Sequence, residues 1–216
     1  MIGFVLEQEC PNTKEKTTEE EMKDARLKLE KVESGKAEPL ARAVLETARQ
    51  KLGMIPNMYA YMANAPGLLE AYRSGYELFR GGSGFSAVEQ EVIFLSISYE
   101  NECEYCMAAH SFLADVQSKV PSEVTEALRR GREIPDARLR ALSRFTRVLV
   151  QKRGRAAQTD LDLFRAAGYT DAQVLQIILA IGVKTLSNYT NHLCGTEVDA
   201  TFAKRTWTRA AAGSGS

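Results

Sequence analysis

One stretch of this chain is written twice. Gly84-Phe85-Ser86-Ala87-Val88-Glu89 lines up with Gly168-Tyr169-Thr170-Asp171-Ala172-Gln173, an offset of 84 residues. The register then holds, with Ile93, Leu95 and Ile97 falling on Ile177, Leu179 and Ile181, and Tyr105 on Tyr189. Each copy opens with a glycine, an aromatic and a Ser/Thr-x-x-Glu/Gln capping box, then buries an apolar helical run. Such a repeat confines the chain to two related helical halves.

The remaining segments also read as helix, with no convincing strand alternation, so the expected class is all-α. Thr17 with Glu20 marks a capping-box start for a Lys/Glu-rich accessory helix over 18–33, stopped at Gly35. Pro39 opens a helix to about Lys51 that Gly53 ends. A Met- and Tyr-rich stretch, 54–62, reads as core packing around short helices and also as a possible substrate wall. Helices are expected over 68–80, 86–100, 103–118, 123–130, 136–152, 159–167 and 170–188, with a last one over 189–207. The glycine run at 81–84 has neither a preceding strand nor a P-loop lysine, so it is a linker turn. The domain reading is a charged extension over 1–37, one helical domain over 38–209 and a Gly-Ser linker over 210–216.

Charge and cysteine content narrow the function classes. Lys plus Arg equals Asp plus Glu, a formal net charge of zero, which removes the usual electrostatic case for nucleic-acid or membrane-surface binding. No apolar run approaches a bilayer span, and residues 1–11 lack the basic start of a secretory signal. Four cysteines are too few for a secreted disulfide scaffold. Two of them form a C-x-x-C pair, Cys103 and Cys106, while Cys10 reads as an exposed tail thiol and Cys194 as a buried small residue. A close pair without a secretion signal points to redox or metal chemistry in a reducing compartment, the cytoplasm by default.

The repeat separates packing from chemistry. Glu91 corresponds to Leu175, Cys103 to Ser187, Cys106 to Thr190 and His110 to Cys194. The second copy keeps the apolar frame and lacks the reactive set, which favours a function for these four positions. Cys106 and His110 lie one helical turn apart, within reach of a thiol–imidazole contact. Cys103 and Cys106 in mid-helix would hold their Cβ atoms roughly 5–6 Å apart, whereas a disulfide needs about 3.5–4.5 Å. A helix that starts at Cys103, after a break at Glu100-Asn101-Glu102, removes the mismatch. The first helical turn and a neighbouring imidazole both favour thiolate. Glu89 is explained by its capping box, but Glu91 stands one turn into an apolar run, where a charge needs a partner such as His110. His192 reads as a satisfied structural histidine.

A zinc site would need further ligands, since no second C-x-x-C or His-x-His cluster exists. Cys103, Cys106, His110 and Glu91 could hold a metal together, the weaker reading, so neither metal nor cofactor is expected. Haem attachment fails because Met107 follows Cys106.

Glu91 and the run from Cys103 through Tyr105 and Cys106 to His110 resemble the signature of AhpD-like alkylhydroperoxidases, of the carboxymuconolactone decarboxylase superfamily. The resemblance covers roughly 52–199, including Asn191-His192 and Gly195-Thr196-Glu197. It implies an AhpD-like helical fold with an internally duplicated unit, assembled as a homotrimer or homohexamer. It also implies peroxide reduction: Cys106 attacks the peroxide, Cys103 resolves the sulfenic acid, and His110 with Glu91 relays protons. An external dithiol or a lipoylated protein would reset the pair. The spacing from His110 favours Cys106 as attacker, while an exposed helix entrance would favour Cys103. The best-studied members carry a His between the cysteines, where this chain has Tyr105, a substitution that many peroxidase-related relatives share. Two alternatives stand beside the peroxidase: a decarboxylase-branch lyase acting on a lactone acid, and a non-enzymatic redox sensor.

Overall fold

The computed structural model describes residues 24–209. Among them every regular element is helical. The helices are α1 (Pro39–Leu52), α2 (Asn57–Met62), α3 (Pro66–Gly82), α4 (Ala87–Glu100), α5 (Glu104–Val116), α6 (Ser122–Arg129), α7 (Ala137–Gln151), α8 (Gln158–Ala166) and α9 (Asp171–Cys194), with 3-10 turns at Ser34–Lys36 and Ala200–Arg205. No single described helix is long and apolar enough to cross a membrane.

α4 is the axis of the fold. Its residues from Glu89 to Ser98 are all buried, because α5, α6, α7 and α9 pack around it. A helix apolar on every side is stable in water only when so enclosed. α3 lies against α9 and α1 on one flank. At Gly75, an added Cβ would stand 2.8 Å from Val183 Cγ2, so glycine sets how closely α3 approaches α9.

The duplicated starts face each other. Ser86 and Thr170 cap α4 and α9 through the expected reciprocal boxes. Gly84 and Gly168 precede them with φ of 70° and 88°, a backbone region that costs other residues strain. The paired aromatics Phe85 and Tyr169 pack at 5.9 Å, and the Tyr169 hydroxyl donates to Glu89 Oε1 at 3.0 Å.

The copies diverge after that. The first bends out of helix at Asn101-Glu102, where Glu102 takes a left-handed φ of 53°, and restarts at Glu104. The second runs unbroken to Cys194, and Gly195, at φ 60°, ends it. The separate helix expected over 189–207 is therefore wrong. Thr185, which occupies the position of Asn101, turns its hydroxyl back to Ile181 O at 2.8 Å and stays helical.

A second correction concerns the accessory helix expected over 18–33. Residues 18–23 lie outside the described residues, and 24–33 form no helix. They run as a strap across the fold, with Leu27 N–H donating to Leu193 O, Val32 N–H to Ala60 O, and Asn64 Nδ2 to Glu30 O. Tertiary hydrogen bonds have overridden the helix propensity of a Lys/Glu-rich segment. Cys10 also lies outside the described residues.

Candidate active site

The bend between α4 and α5 creates the site. It brings Cys103 N–H onto Ser98 O and leaves Cys103 as the N-cap of α5, the helix entrance that the spacing argument asked for. Cys106 then lies in the first turn, where free backbone N–H groups favour an anion. His110 follows one turn later, and α4, folded back against α5, presents Glu91.

All four expected residues lie in the core, Glu91 against His110 and the two thiols beside Asn191. Cys103, Cys106, His110 and Glu91 are buried, and both thiols are free. Glu91 is 1% exposed, with Oε2 2.8 Å from His110 Nδ1 and Oε1 2.5 Å from Arg80 Nη2. The Ser118 hydroxyl adds a third bond to Oε1 at 3.3 Å. Burial alone would raise the Glu91 carboxyl, but His110 and Arg80 outweigh it and hold the group below its usual range. A carboxylate at this distance accepts from Nδ1–H, so the neutral ring has Nε2 as its free acceptor. Burial lowers the His110 pKa, with Lys184 assisting and Glu91 opposing. The imidazole is therefore a neutral base at pH 7.

The two thiols are set in opposite directions. Hydrogen bonding with Cys106 and burial push the Cys103 thiol well above its ordinary value. Burial opposes ionisation of Cys106, yet Cys103, Lys184 and His110 together carry its pKa well below the ordinary value. The polarity suits Cys106 as nucleophile and Cys103 as the thiol held in reserve.

Several site residues were not anticipated from sequence. Asn191 Nδ2 stands 3.4 Å from Cys106 Sγ, 3.7 Å from Cys103 Sγ and 3.4 Å from Met58 Sδ, so one amide spans both sulfurs. Ser187, the repeat counterpart of Cys103, lies 3.8 Å from Cys106 Sγ. Lys184 is fully enclosed. The rule that singled out Glu91, a charge inside an apolar helical run, applies equally to Lys184 after Ile181-Gly182-Val183 and would have found it. Asn191 carries no such signal, because it reaches the sulfurs only through the packing of α9 on α5. Arg80 reaches Glu91 from α3, with its guanidinium over the Tyr76 and Phe94 rings at 4.9 and 4.8 Å.

Tyr105 points away from this chemistry. Its hydroxyl donates to Asp199 Oδ2 at 2.5 Å, and Asp199 also accepts from Asn57 N–H. It ties α5 to the C-terminal segment and does not substitute for a proton-relay histidine. Met58 Sδ lies 3.4 Å from Asn191 Nδ2, and Phe94 packs against the His110 ring at 4.8 Å, so part of the 54–62 stretch packs against the site.

His192 and Cys194 depart from expectation. His192 lies outside the thiol cluster, and its buried Nε2 has no hydrogen-bond partner among the described residues. It lines a cavity of about 770 Å³ beside Cys103, together with Arg26 of the strap and Thr196. Cys194 is half-buried, because the end of α9 is only partly covered. Among the described residues no group of three or more His, Cys, Asp and Glu side chains is placed to hold a metal ion.

No family model matches the chain, and no curated protein matches it. Solved structures do. A peroxidase-related protein from Ralstonia eutropha with an alkylhydroperoxidase AhpD core superposes with a TM-score of 0.72 at 23% identity, over 81% of this chain and 93% of that one. A peroxidase-related protein from Silicibacter sp. gives 0.64 at 27% identity, over 77% and 90%. A cysteine-to-alanine variant of the debrominase Bmp8, in complex with 2,3,4-tribromopyrrole, gives 0.69 at 16% identity, over 85% and 97%. These neighbours bear out the AhpD-like resemblance and the all-helical fold that it implies.

Proposed function

From the AhpD-like fold as premise, we propose that the chain is a thiol peroxidase that reduces hydrogen peroxide or an organic hydroperoxide. The observation that carries this reading is the buried line Arg80–Glu91–His110, with His110 one helical turn after Cys106 of a C-x-x-C pair whose two sulfurs share the Asn191 amide. Cys106 thiolate attacks the terminal peroxide oxygen, forming an S–O bond as O–O breaks. His110 Nε2 takes the hydroperoxide proton and returns it to the departing alkoxide, releasing an alcohol or water. Cys103 then attacks the Cys106 sulfenic sulfur, closing the disulfide; the oxygen leaves as water with the Cys103 proton, passed through His110, and one proton from solvent. An external dithiol, free or carried on a lipoylated protein, restores both thiols. Glu91 holds the ring tautomer, and Arg80 holds Glu91.

We place this cycle in a reducing compartment such as the cytoplasm and in an assembly of identical chains. On α9 an outward stripe of Leu175, Ile178, Tyr189 and Leu193 is 45–66% exposed, at spacings that share one helix face. Uncharged stripes of this kind mark contact surfaces, and a second copy of the chain is the occupant proposed.

The test is peroxide consumption with dihydrolipoamide or dithiothreitol. Wild type should turn over, Cys106→Ser should not, and His110→Ala should fall by about 100-fold or more. Equal rates in all three would remove the reading. A single oxidation with no turnover in excess dithiol would instead identify a redox sensor.

A further inference from the structure

Lys184 is a charged group of the site to which the peroxide chemistry gives no task. It is 1% exposed, and its Nζ has no hydrogen-bond partner among the described residues. It sits 5.6 Å from the Phe94 ring centre, and that ring lies 4.8 Å from the His110 ring. Its own backbone carbonyl accepts from Ser187 Oγ, which in turn lies beside Cys106 Sγ. Glu91, the carboxylate of this cluster, is already committed to His110 and Arg80. A buried ammonium without a counter-charge is costly, so a charged Lys184 calls for an anion beside it. The sulfur of Cys106 is the group that can become one.

We propose that Lys184 is the counter-ion of the Cys106 thiolate and that it sets the redox poise of the Cys103–Cys106 pair, making the disulfide readily reducible. The proposal deepens the dithiol reading and rests on it. At neutral pH the reduction is disulfide plus two electrons and one proton, giving Cys106 thiolate and Cys103 thiol. The ammonium faces an uncharged disulfide before the reaction and a thiolate after it. Its field therefore stabilises only the reduced form, as in other oxidoreductases whose disulfides are strong oxidants. Oxidation by peroxide strips Lys184 of its partner, and reduction by an external dithiol restores it. The other titratable groups bearing on this sulfur are Cys103 and His110, with Tyr72 and Tyr105 more remotely. In the repeat, Lys184 falls on Glu100, so the first copy has no equivalent cation.

The experiment equilibrates wild type, Lys184→Met, Lys184→Gln and Lys184→Arg with mixtures of reduced and oxidised dithiothreitol, and reads the disulfide by peptide mass spectrometry. The ultraviolet absorbance of the thiolate is titrated against pH in the same proteins, with circular dichroism to establish folding. Neutral variants should favour the disulfide by about tenfold, about 30 mV for this two-electron couple, and raise the thiolate midpoint. Lys184→Arg should remain close to wild type in both. A folded neutral variant with the wild-type poise and midpoint overturns the proposal. Poise that moves with Lys184 in a protein without peroxide turnover upholds it and refutes the peroxidase; turnover with unmoved poise does the reverse.

Discussion

Glu91 spends its two oxygens on two different tasks, orienting His110 and neutralising Arg80. Glu91→Ala leaves the Arg80 guanidinium with Gln90 Oε1 but without its charged partner, so it should lower stability by about 2–3 kcal/mol, read by urea unfolding. A loss below about 1 kcal/mol would show that Arg80 finds another partner. The same cluster gives a pH dependence with a definite sign. His110 is held below its ordinary value of 6.5 and Glu91 below 4.5, so the unfolded chain binds more protons in both windows. Stability is thus complete above the first value, falls as pH drops through it, and falls again beneath the second. Thermal melts over this range should show both steps, with the first reduced in His110→Gln. A Tm that rises on acidification would contradict the assignment. At this scale, the sequence revealed the residues that break a pattern. Glu91 in an apolar run and the C-x-x-C with its downstream His stood out, whereas Asn191 and Tyr105–Asp199 did not. Their roles depend on distances between helices remote in sequence.

Among the elements, the informative contrast is between α4–α5 and α9. Both begin with the same cap, yet one bends at Asn101-Glu102 and the other continues. The bend was legible because Cys103 needed a helix entrance. The continuity of α9 was not, since Thr185-Leu186 neither breaks nor demands a helix by itself. The strap over 24–33 misled for a related reason, because local propensity is a weak guide where tertiary hydrogen bonds to Leu193 and Ala60 are available. Packing between elements gives its own prediction. Gly75→Ala pushes a methyl group against Val183, the neighbour of Lys184, and should cost about 1–3 kcal/mol. Urea unfolding of the variant measures this, and an unchanged midpoint would mean that α3 and α9 part without penalty.

Across the whole molecule, the exposed apolar stripe on α9 is the face where the proposed self-association is tested. Light scattering should find a trimer or hexamer, and Leu175→Glu with Ile178→Glu should release monomers. A monomeric wild type would refute that assembly. The duplication accounts for the make-up of the candidate site: one copy is bent to form it, and the other sets Lys184, Ser187 and Asn191 against it. The claim on which the rest stands is that peroxide oxidises Cys106 first and Cys103 closes the bond. It is tested by adding one equivalent of hydrogen peroxide to the reduced protein and mapping the products by mass spectrometry. The account predicts loss of two hydrogens as a Cys103–Cys106 disulfide, and in Cys103→Ser a sulfenic acid trapped at Cys106. A sulfenic acid trapped at Cys103 in Cys106→Ser, or oxidation confined to Cys194, would contradict it.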